Sequence, residues 1–418
     1  MVDALDVHGR ASSHETDDLV ALGEQQFGQV RAVLAGDSRD ERFGGQTILH
    51  SAAAVADAPC YYRARRHPSN WTRPSLVGVR VGLLSFRLGG LDGVSIEAAK
   101  WARAFEVLGH DVVTIAGEGR VDRRLPGLAA DADAPPTTSE LADALGDVDL
   151  VVVENLISLP LNVAAREVCY QVLAGRPAIL RHHDLAWQRE PLAHLDGPRD
   201  DPRWVHVTIN ERSRTELAAR GIGATTLYNA FDCDPPAGQR DATRATLAIS
   251  DERLLLLASR AIARKNVAGA IELAERLGGV LWLLGPPEDG YDDELERLVD
   301  AANVEVRRGR VGSIHDAYAA CDLVVVASFW EGFGNPTLES VTHRRPLAAY
   351  PYPVLSELRA RGLAFFDLDD AARIDAFLDA PDENLFDANL AVARRDFNLD
   401  HLPSRLEALV ATVIGPVG

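Results

Sequence analysis

The chain has 418 residues, 47% of them hydrophobic, and a formal net charge of −19. That length is enough for two α/β domains and an extension, while the acidic balance argues against non-specific binding to nucleic acid or to an anionic membrane. No apolar run approaches the roughly 18 residues of a membrane span and no basic-then-apolar signal opens the chain; the scattered cysteines, Cys60, Cys169, Cys233 and Cys321, have no ligand spacing and read as reduced thiols of a cytoplasmic protein.

Residues 1–77 are the least patterned part. Asp17 to Ala35 has helical spacing, Ser51 to Ala58 is alanine-rich, and CYYRARRHPSNWTRP is basic and aromatic. Arg63, Arg65 and Arg66 suit a packing arm laid against the first domain, or a contact with an anionic acceptor or another subunit. From Gly78 a regular rhythm begins. VRVGLLSF reads as a parallel strand and RLGGLDG as a glycine turn, where Gly89 and Gly90 let backbone approach closely. VSIEAAKWARAFEVLG is an amphipathic helix and HDVVTIAG the next strand. This order is a Rossmann-like opening, without the G-x-G-x-x-G of a dinucleotide site. Further strands are expected in 147–155, 176–187 and 201–221, the last followed by a helix. ATTLYNAFDCDPP (224–236) is a strand running into a proline-containing connector, the best boundary between domains. A second domain opens at 254–277 as strand, loop and helix. VLWLLGPP, ELERLVDAA, VEVRRGRV and IHDAYAACD continue it, PLAAYPYP and LAFFDLDD are late strand signals, and LPSRLEALVATVI is a helical tail. The expected division is 1–77, 78–232, 233–397 and 398–418.

The organising stretch is CDLVVVASFWEGFGNPTLESVTHRRPLAA, 321–349. The apolar run Leu323 to Ala327 suits a buried strand. A turn on Gly332 and Gly334 follows, then a helix start with Asn335 as N-cap and Pro336 at the first helical position. Glu331 and Glu339 bracket that start. Free N–H groups at a helix N-terminus attract phosphate, whereas carboxylates accept hydrogen bonds from hydroxyls. Together these suit a ligand with phosphates in its middle and hydroxyl-bearing rings at both ends, a nucleotide sugar. Arg260, Arg264 and Lys265 in S-R-A-I-A-R-K-N lie just past a predicted strand, where open α/β sheets bind ligands. His182 and His183 follow a first-domain strand; for His182 the preferred reading is a satisfied interior histidine. Arg181 and Arg87 are near enough in sequence to be acceptor contacts, and nothing in the sequence decides it.

E-G-F-G-N-P-T-L-E resembles the E-x7-E signature of retaining, GT-B-fold glycosyltransferases of the glycogen-synthase-like, family 4 type. The resemblance covers roughly residues 78–418. It implies an α/β GT-B fold: two Rossmann-like domains facing across a cleft, preceded here by an N-terminal extension, with the tail helix crossing back to the first domain. It implies transfer of a hexose from a nucleoside diphosphate sugar to a hydroxyl acceptor with retention of configuration. By the same resemblance Glu331 contacts hydroxyls of the transferred sugar, and Arg260 and Lys265 hold the diphosphate, with Arg264 the runner-up for either. His183 reaches the sugar near its reacting carbon, and Glu339 takes the ribose. Gly332, Phe333 and Gly334 shape the loop, N–H groups around Asn335 and Thr337 face the diphosphate, and Gly89 and Gly90 lie under it. The base lies near Arg310 and Val311. Pro336 has no N–H, so one donor is missing here. Asn229, Ala230, Phe231 and Asp232 stand at the family's N-G-V-D segment, with Ala230 replacing its glycine.

No cofactor is implied beyond the nucleotide sugar as co-substrate. The pairs Asp131/Asp133, Asp147/Asp149, Asp232/Asp234 and Asp367/Asp369 are expected by chance in so acidic a chain, and none has the strand-end context of a divalent-metal diphosphate site, so no metal is expected. The expected partners are a nucleotide sugar and a soluble hydroxyl acceptor, without nucleic acid or integral membrane association; homo-oligomerisation stays open. Two alternatives stand beside the transferase: a nucleotide-sugar epimerase on the same fold, and a non-catalytic nucleotide-binding or scaffolding module.

Overall fold

The computed structural model describes residues 78–90 and 92–414; the expected extension with Arg63, Arg65 and Arg66 lies outside the described residues. Short apolar runs build two sheets. The first holds β1 (Arg80–Leu88), β2 (Asp111–Gly119), β3 (Arg123–Arg124), β4 (Leu150–Glu154), β5 (Ala178–His182), β6 (Trp204–Thr208) and β7 (Ala224–Thr226), in the order β3-β2-β1-β4-β5-β6-β7. The second holds β8 (Leu254–Leu257), β9 (Val280–Leu283), β10 (Val306–Arg308), β11 (Leu323–Val326), β12 (Leu347–Ala349) and β13 (Phe366–Asp367), in the order β10-β9-β8-β11-β12-β13. The strand pairs are parallel throughout. Both sheets therefore have the Rossmann-like order that the sequence rhythm implies.

A parallel sheet is covered on both faces, so its strands are apolar at every position. β8 shows this directly. Leu255 and Leu257 enter one core with Val267 and Ile271, while Leu254 and Leu256 enter another with Trp282 and Tyr318. In β1, Val81 and Leu83 face one core and Leu84 and Phe86 the other. The late strand signals are shorter than the sequence suggests. Only Leu347–Ala349 pairs within PLAAYPYP, because Pro351 lacks an N–H and Pro353 opens the next helix.

Each sheet reverses its strand order at the centre, between β1 and β4 and between β8 and β11. Loops leaving the carboxyl ends there diverge and leave room for a ligand. The loops carrying Gly89, Asn155, Arg260 and Glu331 all start at these ends. A further core joins the two lobes: Ile209, Tyr228 and Phe231 pack with Phe333, Leu338 and Phe397. Phe231 stacks on Phe333 with centroids 5.9 Å apart. The helix Leu402–Ile414 returns to the first lobe, burying Leu402, Leu406 and Val410 beside Trp101 and Phe105. Each such leucine contributes about 2 kcal/mol by leaving water. Among the described residues no helix is long and apolar enough to cross a membrane.

Candidate active site

The exits of β8 and β11 meet. Lys265 ends a short turn after β8 and is 7% exposed; its Nζ contacts Glu331 Oε1. Arg264 Nη1 donates to the Trp330 carbonyl at 3.0 Å and lies 3.4 Å from Glu331 Oε2. Burial alone would raise the Glu331 pKa, but the charges of Lys265 and Arg264 outweigh it and hold it at about 2. Glu331 is therefore an anion and an acceptor only. Burial pulls the Lys265 ammonium down, and the Glu331 charge pushes against that. Arg260 is placed differently. Half-buried, it donates from Nη1 to Glu288 Oε2 at 2.5 Å. A guanidinium held by one partly exposed carboxylate exchanges partners at little cost.

The helix Asn335–Thr342 is capped by Gly334, at φ +86°, and not by Asn335, which is its first residue with Pro336 second. The sequence placed the cap one residue late because Asn335 has other partners. Its Oδ1 accepts from Asn229 Nδ2 at 2.9 Å, and its Nδ2 lies 3.4 Å from Glu97 Oε1. The Thr337 N–H donates to the Gly334 carbonyl at 2.8 Å, so it is used inside the turn instead of facing outward. Phe333 is buried in the core between the lobes, and Thr337 is fully buried with Oγ1 2.8 Å from the Tyr352 hydroxyl. Glu339 is half-buried and accepts from the Tyr318 hydroxyl at 2.7 Å. Burial raises its pKa, Tyr318 and Lys100 oppose that, and Glu97 adds to it.

On the first lobe, the His183 and Asp184 N–H groups both donate to Asn155 Oδ1, at 3.1 and 3.0 Å. Asn155 adopts the left-handed region, φ +61°, to supply that clamp. His183 Nε2 lies 2.6 Å from Glu154 Oε2; the carboxylate accepts, so Nε2 carries the hydrogen. Glu154 is wholly buried, yet Arg181 and His183 outweigh the burial and lower its pKa. Arg181 is no acceptor contact on an open face. It is wholly buried over the Trp101 ring, bonded to Glu154 and Glu97 at 3.3 Å each and to Asn229 at 3.1 Å. Lys100 completes the group, 2.5 Å from Glu97 Oε1 and 2.7 Å from the Ala230 carbonyl. Sequence reasoning missed Glu97, Lys100 and Glu154. The available signal was two charges on the apolar face of a helix, beside Ala98, Trp101 and Ala104. His182 takes the other face of β5, as strand alternation requires. It lies 2.9 Å from His206, which reaches Asp200 at 3.2 Å.

The two loop sets touch. A Cβ on Gly332 would stand 2.5 Å from the His183 carbonyl oxygen. Asn210 donates to the Gly332 carbonyl at 2.6 Å, and Trp330 Nε1 to Asp184 Oδ1 at 3.3 Å. Lys265, Arg264, Glu331, Gly332 and His183 are thus gathered, with Asn335 and Glu339 on the adjoining helix. Arg260 and Val311 stand on separate loops of the second sheet, after β8 and β10, and Val311 packs on the sheet's core beside the exposed Arg310. Gly89 and Gly90 are exposed. A Cβ on Gly89, at φ +72°, would lie 2.4 Å from the Arg120 carbonyl, so packing between the β1 and β2 exits already requires this glycine. Arg87 is exposed, 3.4 Å from Asp92. Among the described residues no group of three or more His, Cys, Asp or Glu is placed to hold a metal ion.

Residues 253–380 match the family described as glycosyl transferases group 1. Mannosylglucosylglycerate synthase of Thermotoga maritima is 27% identical, over 70% of this chain and 85% of its own length. The synthase of the same name from Petrotoga mobilis is 25% identical, over 66% and 83%. Anabaena HepE in complex with UDP-glucose has the same fold at a TM-score of 0.63 and 17% identity, covering 80% of this chain and 99% of that one. Sucrose-phosphate synthase from Thermosynechococcus elongatus also reaches 0.63, at 16% identity and with coverage of 80% and 99%. The match to the group 1 glycosyl transferases falls on the second lobe, the chain has the two-lobed GT-B fold of these solved structures, and together the likenesses support a glycosyl transfer.

Proposed function

We propose that the protein is a glycosyltransferase that moves a hexose from a nucleoside diphosphate sugar to a hydroxyl of a small polar acid, without a metal and with retention of configuration. The observation that carries the reading is the buried Glu331 anion, gripped by Lys265 and Arg264 and set against the His183 turn of the other lobe. Glu331 accepts hydrogen bonds from hydroxyls of the transferred sugar. Lys265 and Arg260 flank the diphosphate, Arg260 exchanging Glu288 for a phosphate oxygen, and Glu339 takes the ribose diol. When the bond from the anomeric carbon to the phosphate oxygen breaks, negative charge grows on that oxygen. Fixed cations stabilise it more in the transition state than before. The acceptor oxygen bonds to the anomeric carbon on the same face, and its proton passes to the departing phosphate. His183, with Nε2–H committed to Glu154, orients the sugar and is not the base. Contact between the lobes excludes water that would hydrolyse the donor. The likeness to two mannosylglucosylglycerate synthases, over most of their length, supports an acceptor built from a sugar and a hydroxy acid.

The test is incubation of the chain with UDP-, GDP- and ADP-hexoses and glucosylglycerate, with and without EDTA, reading the product's anomeric configuration by NMR. An α-linked product from an α-linked donor, unaffected by EDTA and lost in Glu331→Gln, supports the reading. Donor converted to its epimer without acceptor would replace it with an epimerase. Nucleotide binding without turnover would replace it with a binding module.

A further inference from the structure

Glu339 is gripped twice by a stacked pair of rings. Its Oε2 accepts from the Tyr318 hydroxyl at 2.7 Å. Tyr318 is wholly buried on the helix Ile314–Ala320, which leads into β11. Its ring lies nearly flat on that of His343, centroids 4.6 Å apart and planes at 21°. His343 Nδ1 lies 2.7 Å from the carbonyl oxygen of Glu339 itself. A carbonyl only accepts, so Nδ1 carries the hydrogen. Burial lowers the His343 pKa to about 4, so the ring is neutral and its Nε2 accepts. His315 Nδ1, 2.9 Å from that Nε2, is then the donor. The carboxylate is thereby held by Tyr318 on a different helix, and the carbonyl by His343 at the end of Glu339's own helix.

What is left free is informative. Among the described residues Oε1 of Glu339 has no hydrogen-bond partner, and the charges acting on the carboxylate are those of Lys100 and Glu97 on the first lobe. The carboxylate therefore lies within electrostatic reach of that lobe. A phenol holds it without cancelling its charge, as a lysine would, so the free oxygen keeps its full strength as an acceptor. A glutamate already locked in one rotamer also loses less freedom when a ligand binds.

We infer that Tyr318 is a positioning residue that aims Glu339 at the vicinal diol of a ribose, and so makes the site prefer ribonucleotides to deoxyribonucleotides. The inference rests on the assignment of Glu339 to the ribose. It goes beyond packing, because phenylalanine would fill the same space without the hydroxyl.

The experiment measures binding of UDP, GDP and ADP to the full chain by calorimetry, then compares the tightest with its 2′,3′-dideoxy form, the deoxynucleotide that lacks both hydroxyls. The wild type is expected to prefer the ribonucleotide about tenfold or more. Tyr318→Phe should lose most of that preference by weaker ribonucleotide binding, with deoxynucleotide affinity unchanged. Added to Glu339→Gln it should cost nothing further. A preference kept in Tyr318→Phe but abolished in Glu339→Gln overturns the role of Tyr318 and leaves the ribose assignment standing. No preference in the wild type and no change in Glu339→Gln overturns both. Equal weakening of both nucleotides in Tyr318→Phe shows general damage and also overturns the inference.

Discussion

Replacing Lys265 by methionine removes the cation beside a carboxylate that is only 7% exposed. The Glu331 pKa is about 2 against an ordinary 4.5. That displacement is worth about 3 kcal/mol in favour of the folded anion. Because the folded value is depressed, the stabilisation is complete above the unfolded value of 4.5 and is lost as the pH falls toward 2. Arg264 remains 3.4 Å from the other oxygen, so the variant keeps part of the stabilising field. The expected deficit at pH 7 is about 2–3 kcal/mol, below the roughly 3–5 of a buried pair left with one bare charge. Urea denaturation at pH 7, 4 and 3 measures it. The deficit should be about a quarter smaller at pH 4 and less than about half as large at pH 3. The double variant Lys265→Met/Glu331→Gln leaves no bare charge and should recover most of the loss. A deficit equal at all three pH values, or a double variant worse than the single one, would refute the assignment of the stabilisation to this pair.

Gly332→Ala sets a methyl 2.5 Å from the His183 carbonyl and must push the two loops apart. A fall of about tenfold to a hundredfold in kcat/KM is expected by steady-state assay; an unchanged value would show that the contact plays no part in turnover. His182 and His206 have pKa values lowered chiefly by burial. The unfolded chain takes up protons as the pH drops below about 6.5 and the folded chain resists. The melting temperature should fall between pH 7.5 and 5.5, and His182→Gln should flatten part of that slope; a slope identical in the variant counts against it. Gly334→Ala forces φ +86° on a residue with a Cβ, placed 2.6 Å from the Tyr352 hydroxyl. It should cost about 1–3 kcal/mol of stability in thermal melts, and a neutral result would reject that strain.

Much of the fold was legible because parallel strands announce themselves. Leu323 to Ala327 and Leu254 to Leu257 are apolar at every position, as two-sided burial requires. The loops at the strand ends were legible because glycines, a proline and acids stand in a fixed order around Glu331. What the sequence hid are partnerships across distance. Arg181 meets Glu97 from 84 residues away, and Asn335 meets the same carboxylate from 238. No local pattern encodes such pairings. Asn335 was misplaced for the same reason: a good capping side chain gives up the cap when a distant partner competes for it, and a glycine that tolerates positive φ takes over.

The helix Leu402–Ile414 has a consequence for how the protein is made. It completes the hydrophobic core around Trp101 and Phe105, yet it is translated only after the whole of the second sheet. The lobe that leaves the ribosome first therefore waits, with an apolar groove uncovered, for a segment about three hundred residues downstream. Premature stop codons or proteolytic cuts before or within this helix would injure the first lobe, although every residue of its sheet is intact.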